Sequence, residues 1–337
     1  MSLVRLQNIR KYFPVKRSIG EVLLRTPQSF VKAVDGISFE IEPGETFGLV
    51  GESGSGKTTT GRIVLRLIEP TEGTIEFDGR DITKLSGDEM RKLRKDMQII
   101  FQDPMAALNP YMKIGDAIKH GLDIHNIGNT QSERKKLVCE MLERVNLQAD
   151  LYHRYPHELS GGQRQRIVIA RALILRPKFV VADEALAMLD VSVRSQLLQL
   201  LIELKKEMNL TFLFITHDLA TTKYMCNKIG VMYLGKFVEI GTYQHIYESP
   251  MHPYTKALIS AIPEPDPKIM ESKKRLIPEG EVPNPINPPS GCHFHPRCPY
   301  VMDICKNVEP PLVKSPDGRL IACHLYTEKS AVQQQGS

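Results

Sequence analysis

Apolar residues recur along the first part of the chain at two spacings. Short β-rich runs lie at residues 3–6, 36–41, 46–50 and 74–77. Three later runs are continuously apolar, as strands buried on both faces are, and they lie at 97–101, 179–182 and 210–215. Apolar residues repeat at helical spacing over 132–147 and 193–208. Strands that alternate with helices predict an α/β fold with a mainly parallel sheet.

The composition changes near residue 250. Of the 23 prolines, eight precede that point and fifteen lie from Pro250 onward. Cys139 and Cys226 stand alone, whereas the other four cysteines cluster near the end of the chain. We therefore predict a large α/β domain over residues 1–250 and a small, loop-rich extension over 251–337.

Composition excludes several classes of protein. Hydrophobic residues are 42% and charged residues 25% of the 337 positions, which excludes a disordered or fibrous chain. Apolar stretches are too short for a membrane-spanning helix, and the first residues lack the apolar core of a signal peptide. The net charge of +5 does not favour nucleic acid as a partner. We expect a soluble, cytoplasmic protein.

Residues 51–58 read Gly-Glu-Ser-Gly-Ser-Gly-Lys-Thr, the phosphate-binding pattern G-x-x-x-x-G-K-[ST]. An apolar strand precedes the pattern and a helical run over 59–67 follows it, a context that argues against a chance Gly/Ser-rich loop. In such a loop Lys57 reaches the β- and γ-phosphates and the Thr58 hydroxyl binds Mg²⁺. The predicted nucleotide-binding residues here are Gly51, Ser53, Gly54, Ser55, Gly56, Lys57, Thr58 and Thr59.

A second candidate site is the apolar run at 179–182, which ends in two carboxylates, Asp183 and Glu184. Two acidic residues at a strand end are often only solvated. Beside a phosphate loop, the functional interpretation is favoured: Asp183 helps to hold Mg²⁺ and Glu184 is the base that activates water.

Residues 159–163 read Leu-Ser-Gly-Gly-Gln and precede a helical run over 164–175. Alone, Ser-Gly-Gly before a helix is a cap and a turn. Together with the two preceding motifs, this segment resembles the signature of the ABC ATPases, followed by a basic helix with Arg164, Arg166 and Arg171. The other positions typical of that family follow in order: Gln102, Asp190 and His217, with Tyr12 and Phe13 where the family places an aromatic ring against adenine. Phe13, directly before Pro14, is the favoured ring.

The resemblance implies a P-loop NTPase fold with an antiparallel β subdomain and a helical subdomain over about residues 103–160. It implies two nucleotide-binding domains packed head to tail, with ATP between them. The signature of one domain would complete the γ-phosphate site of the other through Ser160, Gly161, Gly162 and Gln163. Gln102 would contact Mg²⁺ and transmit the nucleotide state, and His217 would hold Glu184 and water in register.

Segments at 103–110, 154–157, 251–258, 263–267, 285–292 and 295–299 are similar to the ATPase subunits of oligopeptide and dipeptide importers. This resemblance covers about residues 4–324. It implies a peripheral subunit on the cytoplasmic face of the membrane, with a second, non-identical ATPase, two integral-membrane permeases and an extracytoplasmic substrate-binding protein. Oligosaccharide and nickel are alternative cargoes. A soluble ABC ATPase of DNA repair or translation is the alternative function, while a P-loop kinase or GTPase would leave the signature and His217 unexplained.

The clustered cysteines follow the spacing C-x5-C-x6-C-x17-C. Four thiolates suit Zn²⁺ or an iron–sulfur cluster. The wide spacing and the resemblance both favour a [4Fe–4S] cluster on Cys292, Cys298, Cys305 and Cys323, with zinc or free thiols as alternatives. The nearby His293, His295 and His324 are not expected to be ligands.

The chain departs from the importer pattern directly after Glu184. There the subfamily usually reads Pro, Thr or Val, Ser, Ala, Leu, Asp, whereas this chain reads Ala-Leu-Ala-Met-Leu-Asp over residues 185–190. Loss of the proline is expected to loosen the turn that aims Glu184. We predict an ATPase that is active but slow.

Overall fold

The computed structural model describes residues 2–17, 24, 27–262 and 280–327. The predicted linker segment at 263–267 lies outside these residues. Within the described ranges, the β-strands in chain order are β1 (Val4–Pro14), β2 (Phe30–Ile41), β3 (Thr46–Val50), β4 (Glu72–Phe77), β5 (Arg80–Asp81), β6 (Met97–Ile100), β7 (Phe179–Asp183), β8 (Thr211–Ile215), β9 (Lys228–Tyr233), β10 (Lys236–Gly241), β11 (Val313–Lys314) and β12 (Leu320–Ile321).

The α-helices of the same residues are α1 (Lys57–Val64), α2 (Gly87–Leu93), α3 (Pro104–Ala107), α4 (Ile114–Ile124), α5 (Gln131–Arg144), α6 (Gly161–Leu173), α7 (Val191–Met208), α8 (Leu219–Met225), α9 (Pro253–Ser260) and α10 (Asp303–Asn307). Short 3-10 turns occur at Ala149–His153, Pro156–Glu158 and His295–Arg297. Among the described residues, every helix is too short or too polar to cross a membrane.

The chain folds into two compact units. The first comprises the described residues of 1–3, 41–46 and 77–216, and the second those of 4–40, 47–76 and 217–337. The phosphate loop therefore belongs to the second unit, whereas the acidic strand end and the signature belong to the first.

In the first unit, β6, β7 and β8 run parallel, with Met97 opposite Phe179 and Phe179 opposite Thr211. Every residue of β7 and β8 is buried, which explains their continuously apolar sequences. The predicted parallel α/β core is confirmed. Because the carboxyl ends of parallel strands meet at one edge, the residues that follow β6 and β7 come close together.

Two helices of the first unit begin at caps that the sequence supplies. The Thr130 side chain accepts from the backbone N–H of Glu133 at the start of α5. Ser160 and Gln163 form a reciprocal capping box at the start of α6. Both helices begin earlier than the apolar periodicity predicts, because the first turn of each is polar.

In the second unit, β3 pairs in parallel with β9, and β10 pairs antiparallel with β9. The C-terminal strands extend this sheet: β12 pairs with β10, with Glu239 opposite Ile321, and β11 pairs with β12. Side by side in another sheet lie β2, β1 and β4, in that order. The C-terminal segment, predicted as a loop-rich tail, thus contributes strands to the sheet that contains β3, β9 and β10.

Candidate functional site

The loop between β3 and α1 has the backbone geometry that a phosphate cradle needs. Gly51 and Gly56 have φ angles of 151° and 104°. A Cβ at Gly51 would lie 2.2 Å from the Met232 carbonyl oxygen, and one at Gly56 would lie 2.3 Å from the Ala33 carbonyl oxygen. Only glycine fits at these two positions, where the loop turns tightly against backbone of its own unit.

Lys57 begins α1 and turns its side chain back across this loop. Its Nζ donates to the carbonyl oxygens of Gly51, at 2.9 Å, and Glu52, at 2.8 Å. The side chain is buried, since the residue is only 5% exposed. A buried ammonium at a helix N-terminus, surrounded by curled backbone, is chemically suited to bind phosphate oxygens. Thr58 and Thr59 follow in the first turn of α1, and Ser53 and Ser55 lie in the loop itself.

The carboxylate edge of the first unit brings Gln102 and Glu184 together. The Nε2 atom of Gln102 donates to Oε2 of Glu184 at 3.0 Å. Asp183, the last residue of β7, is buried. Glu184 adopts a left-handed backbone with φ of 47°, a conformation uncommon for a non-glycine residue and typical of strained functional positions. The backbone N–H of Glu184 donates to Ile215 at 2.9 Å, which anchors the turn to β8.

The segment that departs from the importer pattern is well held. The Ala187 N–H donates to the Glu184 carbonyl at 3.0 Å. Gln165, 1% exposed, donates through Nε2 to the Ala185 carbonyl at 2.7 Å. Sequence reasoning missed Gln165, whose signal was a polar residue on the apolar side of α6. These bonds fix the turn in this structure. The predicted loosening and the predicted slow hydrolysis stay predictions.

The signature lies at the exposed N-terminus of α6. The Ser160 hydroxyl accepts from the Gln163 N–H at 3.3 Å, and Gln163 Oε1 accepts from the Ser160 N–H at 3.0 Å. A Cβ at Gly161 would meet nothing within 4 Å, whereas one at Gly162 would lie 2.9 Å from a Val193 methyl carbon. Gly162 is therefore required for packing against α7, and Gly161 leaves the helix end open. Asp190 precedes α7 without capping it through its side chain.

The remaining predicted residues lie in the second unit. His217 is exposed beside Asp218, whose side chain caps α8. The Tyr12 hydroxyl donates to Asp35 at 2.5 Å, and burial together with this bond raises the pKa of Tyr12 well above its usual value. Phe13 is half-buried, with the Lys11 ammonium 5.1 Å from its ring centroid. The polar end of Tyr12 is thus already engaged, while which ring contacts adenine stays a prediction.

The four clustered cysteines are all described and all free of disulfides. Cys305 and Cys323 are buried, and the Cys292 N–H donates to the Cys305 carbonyl at 2.8 Å. Burial, with a contribution from neighbouring thiols, raises the pKa of Cys292 to about 11 and of Cys323 to about 12. Nevertheless, within the described residues no three His, Cys, Asp or Glu side chains are arranged to hold a metal ion. The predicted iron–sulfur site is therefore not formed among these residues, and it stays a prediction.

The three neighbouring histidines are each engaged by backbone. A ring nitrogen lies within hydrogen-bonding distance of the Leu234 carbonyl for His293, the Cys292 carbonyl for His295 and the Val308 carbonyl for His324, at 3.2, 3.0 and 2.9 Å. Each of these histidines thus has one ring nitrogen engaged by backbone.

Comparison with known proteins places this geometry in a family. Residues 34–187 match the ABC transporter family, and residues 238–305 match the family described as oligopeptide/dipeptide transporter, C-terminal region. The chain is 46% identical over 327 residues to the oligopeptide transport ATP-binding protein AppF of Bacillus subtilis (strain 168), covering 97% of this chain and 98% of AppF.

This chain belongs to the ABC transporter ATP-binding protein family. A second member, YkfD of the same organism, is 52% identical over 296 residues, covering 88% of this chain and 90% of YkfD. Among solved ABC structures, the dimeric post-hydrolysis state of the ATP-binding cassette MJ0796 bound to ADP and Pi superposes with a TM-score of 0.63. It is 29% identical and covers 72% of this chain and 99% of MJ0796. The ABC ATPase fold predicted from the motifs is confirmed.

Proposed function

We propose that this protein is the ATP-hydrolysing subunit of an ABC importer of oligopeptides or dipeptides. The observation that carries the proposal is the presence, on one chain, of an ABC transporter region and of a C-terminal region specific to oligopeptide and dipeptide transporters. AppF, which matches nearly end to end, is an oligopeptide transport ATP-binding protein. Oligosaccharide and nickel are the alternative cargoes.

The phosphate loop supplies the binding of ATP. Lys57 exchanges its bonds to the Gly51 and Glu52 carbonyls for bonds to phosphate oxygens, and backbone N–H groups of the loop and of the first turn of α1 bind further phosphate oxygens. We propose that Thr58, Gln102 and Asp183 would hold Mg²⁺, which when bound would neutralise charge on the phosphates. Aromatic stacking by Phe13 or Tyr12 is the proposed adenine contact.

Glu184 is the proposed base for the attacking water. Its carboxylate is oriented by the 3.0 Å bond from Gln102, and its strained backbone is fixed by bonds on both sides. A base must be held within hydrogen-bond reach of its water, so this rigid support has a direct use in catalysis. His217 is the proposed contact that keeps water and γ-phosphate in register.

The exposed signature supports a head-to-tail pair of cassettes. Ser160, Gly161 and Gly162 stand at the positive end of a 13-residue helix, where an anion is stabilised. We propose that they serve the γ-phosphate of an ATP held by a second ATPase, a non-identical homologue. Asp190 is proposed to lie at this interface. ATP binding then closes the pair, and hydrolysis opens it.

The membrane partners are two integral-membrane permeases, supplied with cargo by an extracytoplasmic binding protein. A groove of about 500 Å³ in the first unit borders Phe101, the neighbour of Gln102. Its lining combines apolar residues with the basic side chains of Arg91, Arg94 and Arg171. We propose that it receives an acidic cytoplasmic helix of a permease. Because the groove lies beside Gln102, a permease helix bound there would respond to whether the site holds nucleotide. Arg91→Glu should then abolish co-purification with permeases and leave ATP binding intact; retained co-purification would refute the groove.

For the extension over residues 251–337, we propose a [4Fe–4S] cluster on Cys292, Cys298, Cys305 and Cys323, with Zn²⁺ as the alternative. The clustering of the four cysteines in the sequence and the family resemblance support it. Anaerobically purified protein should absorb near 400 nm and contain iron and sulfide; colourless, zinc-loaded protein would refute the cluster.

Affinity purification of the full chain from its native membranes tests the function as a whole. We expect integral-membrane permeases and a second ATPase in the eluate, together with Mg²⁺-dependent ATP hydrolysis. Ribosomes or DNA in place of membrane subunits would favour a soluble ABC ATPase instead.

A further inference from the structure

The C-terminal region contacts the phosphate loop at one loop residue, Glu52. Arg297 donates from Nη1 to Oε2 of Glu52 at 3.0 Å and from Nη2 to Oε1 at 3.4 Å. The guanidinium side chain is 9% exposed and the carboxylate 31%, so the pair is largely withdrawn from water. Two parallel bonds between a planar guanidinium and a carboxylate fix orientation as well as distance.

Tyr254 makes a second contact, to the backbone of the same loop residue. The hydroxyl of Tyr254 accepts from the Glu52 N–H at 2.8 Å. Its ring is 1% exposed and packs against Tyr233 and Phe294, with ring centroids 4.7 and 5.4 Å apart. The hydroxyl therefore approaches the loop from a rigid aromatic cluster.

The peptide that follows links these contacts to the phosphate-binding lysine. The Glu52 carbonyl accepts from Lys57 Nζ at 2.8 Å and from the Ser55 N–H at 3.2 Å. Glu52 thus pairs with Arg297 through its carboxylate, donates to Tyr254 through its N–H and accepts from Lys57 through its carbonyl. A shift of this one residue changes the resting position of the ammonium that meets the phosphates.

Arg297 is itself held in a defined place. It ends the turn His295–Arg297, where the His295 N–H donates to the Cys292 carbonyl at 2.9 Å and the Cys298 N–H to the His295 carbonyl at 3.3 Å. Its guanidinium carbon lies 5.9 Å from the ring centroids of both Tyr233 and Phe294. The position of the Arg297 guanidinium is therefore set by the fold of the C-terminal region.

We propose that Arg297 and Tyr254 are positioning residues that hold the phosphate loop of this protein ready for ATP. The inference rests on the proposed ATP-binding function. The loop contacts phosphate before and during hydrolysis, so loosening it weakens ground-state and transition-state binding alike. The expected signature is a raised KM with little change in kcat.

The experiment uses the full chain and Mg²⁺ with a fluorescent ATP analogue for Kd, and steady-state hydrolysis of ATP for KM and kcat. Arg297→Gln and Glu52→Gln should each raise Kd and KM by about tenfold and change kcat by less than about threefold. Because the two residues act as one pair, the double variant should be no worse than either single variant. Arg297→Lys keeps the charge but loses the second bond, so its Kd for the ATP analogue should lie between those of wild type and Arg297→Gln.

Two further variants separate positioning from general loss of stability. Tyr254→Phe keeps the packed ring and removes only the acceptor of the Glu52 N–H, and it should raise Kd by about threefold. Arg319→Gln is the matched control: this arginine of the same region is also buried, and it pairs with Glu239 and Asp317 outside the loop. It should lower the melting temperature and leave Kd unchanged.

The outcomes distinguish this inference from the proposed function. Wild-type protein that neither binds nor hydrolyses ATP would refute the proposed function. If the wild-type protein is active and folded Arg297→Gln protein binds ATP as tightly as wild type does, the positioning inference is overturned and the proposed function stands. Equal loss of affinity in Arg319→Gln, or multiplying effects of Arg297→Gln and Glu52→Gln, would also overturn it.

Discussion

Replacement of Gly56 by alanine puts the geometry of the phosphate loop to a quantitative test. The new Cβ would lie 2.3 Å from the Ala33 carbonyl oxygen, whereas non-bonded carbon contacts lie at about 3.5 Å, so the loop must move by about 1 Å. The backbone φ of 104° adds strain of about 1–2 kcal/mol for a residue with a Cβ. Misplacement by 1 Å costs about 100-fold in rate, which is the loss of kcat/KM for ATP that we expect.

Substitutions at two other glycines distinguish the effect of backbone strain from the effect of a steric collision. Gly54 in the same loop has φ of 78°, yet its Cβ would meet nothing within 4 Å. Gly54→Ala should therefore lower the melting temperature while reducing kcat/KM by less than about fivefold. Gly79, with φ of 75° and equally open surroundings in the first unit, provides a control in which only stability falls. Hydrolysis by Gly56→Ala at the wild-type rate, or equal losses in Gly54→Ala and Gly56→Ala, would show that a collision with the Ala33 carbonyl does not limit ATP hydrolysis.

The remaining predictions concern the base, the lysine and a buried histidine. Glu184→Gln should bind ATP normally and hydrolyse it at least about 100-fold more slowly in single-turnover assays; unchanged turnover would exclude Glu184 as the base. Lys57→Ala should weaken ATP binding itself, so normal affinity in a nucleotide-binding titration would contradict the loop assignment. Burial lowers the pKa of His252 to about 3. Since the unfolded value is about 6.5, the unfolded chain binds the proton first, and stability falls as pH drops below about 6.5, by about 1.4 kcal/mol per pH unit. Urea unfolding of wild type and His252→Asn between pH 6.5 and 5 measures this, and identical slopes would refute it.

Local features of the fold were predictable from the sequence. The buried strands β7 and β8 are continuous apolar runs, and the glycines of the phosphate loop stand between a strand and a helix. The ends of helices were harder to predict. The apolar pattern continues to residue 67, whereas α1 runs only from Lys57 to Val64, and Arg66 already has a left-handed backbone conformation.

Pairings that depend on distant residues were missed for physical reasons. The turn between β9 and β10 uses Leu234 and Gly235, both at positive φ, in place of the common Asn-Gly signal. Strands β11 and β12 have two residues each, too few for a periodic pattern, and form because β10 offers a free edge. The bond from Arg297 to Glu52 spans 245 positions, and no spacing in a single sequence indicates it.

Peptide uptake driven by ATP tests the proposed transport function directly. The assay uses vesicles that contain the full chain with its co-purifying membrane subunits and binding protein. Mass spectrometry of the vesicle contents after addition of tri- to pentapeptides gives the measurement. We predict peptide accumulation that requires ATP and Mg²⁺ and is lost in Glu184→Gln, although that variant still assembles with the membrane subunits. Accumulation that persists without ATP, or that equals wild type in Glu184→Gln, would contradict the proposal that this subunit drives import by hydrolysing ATP.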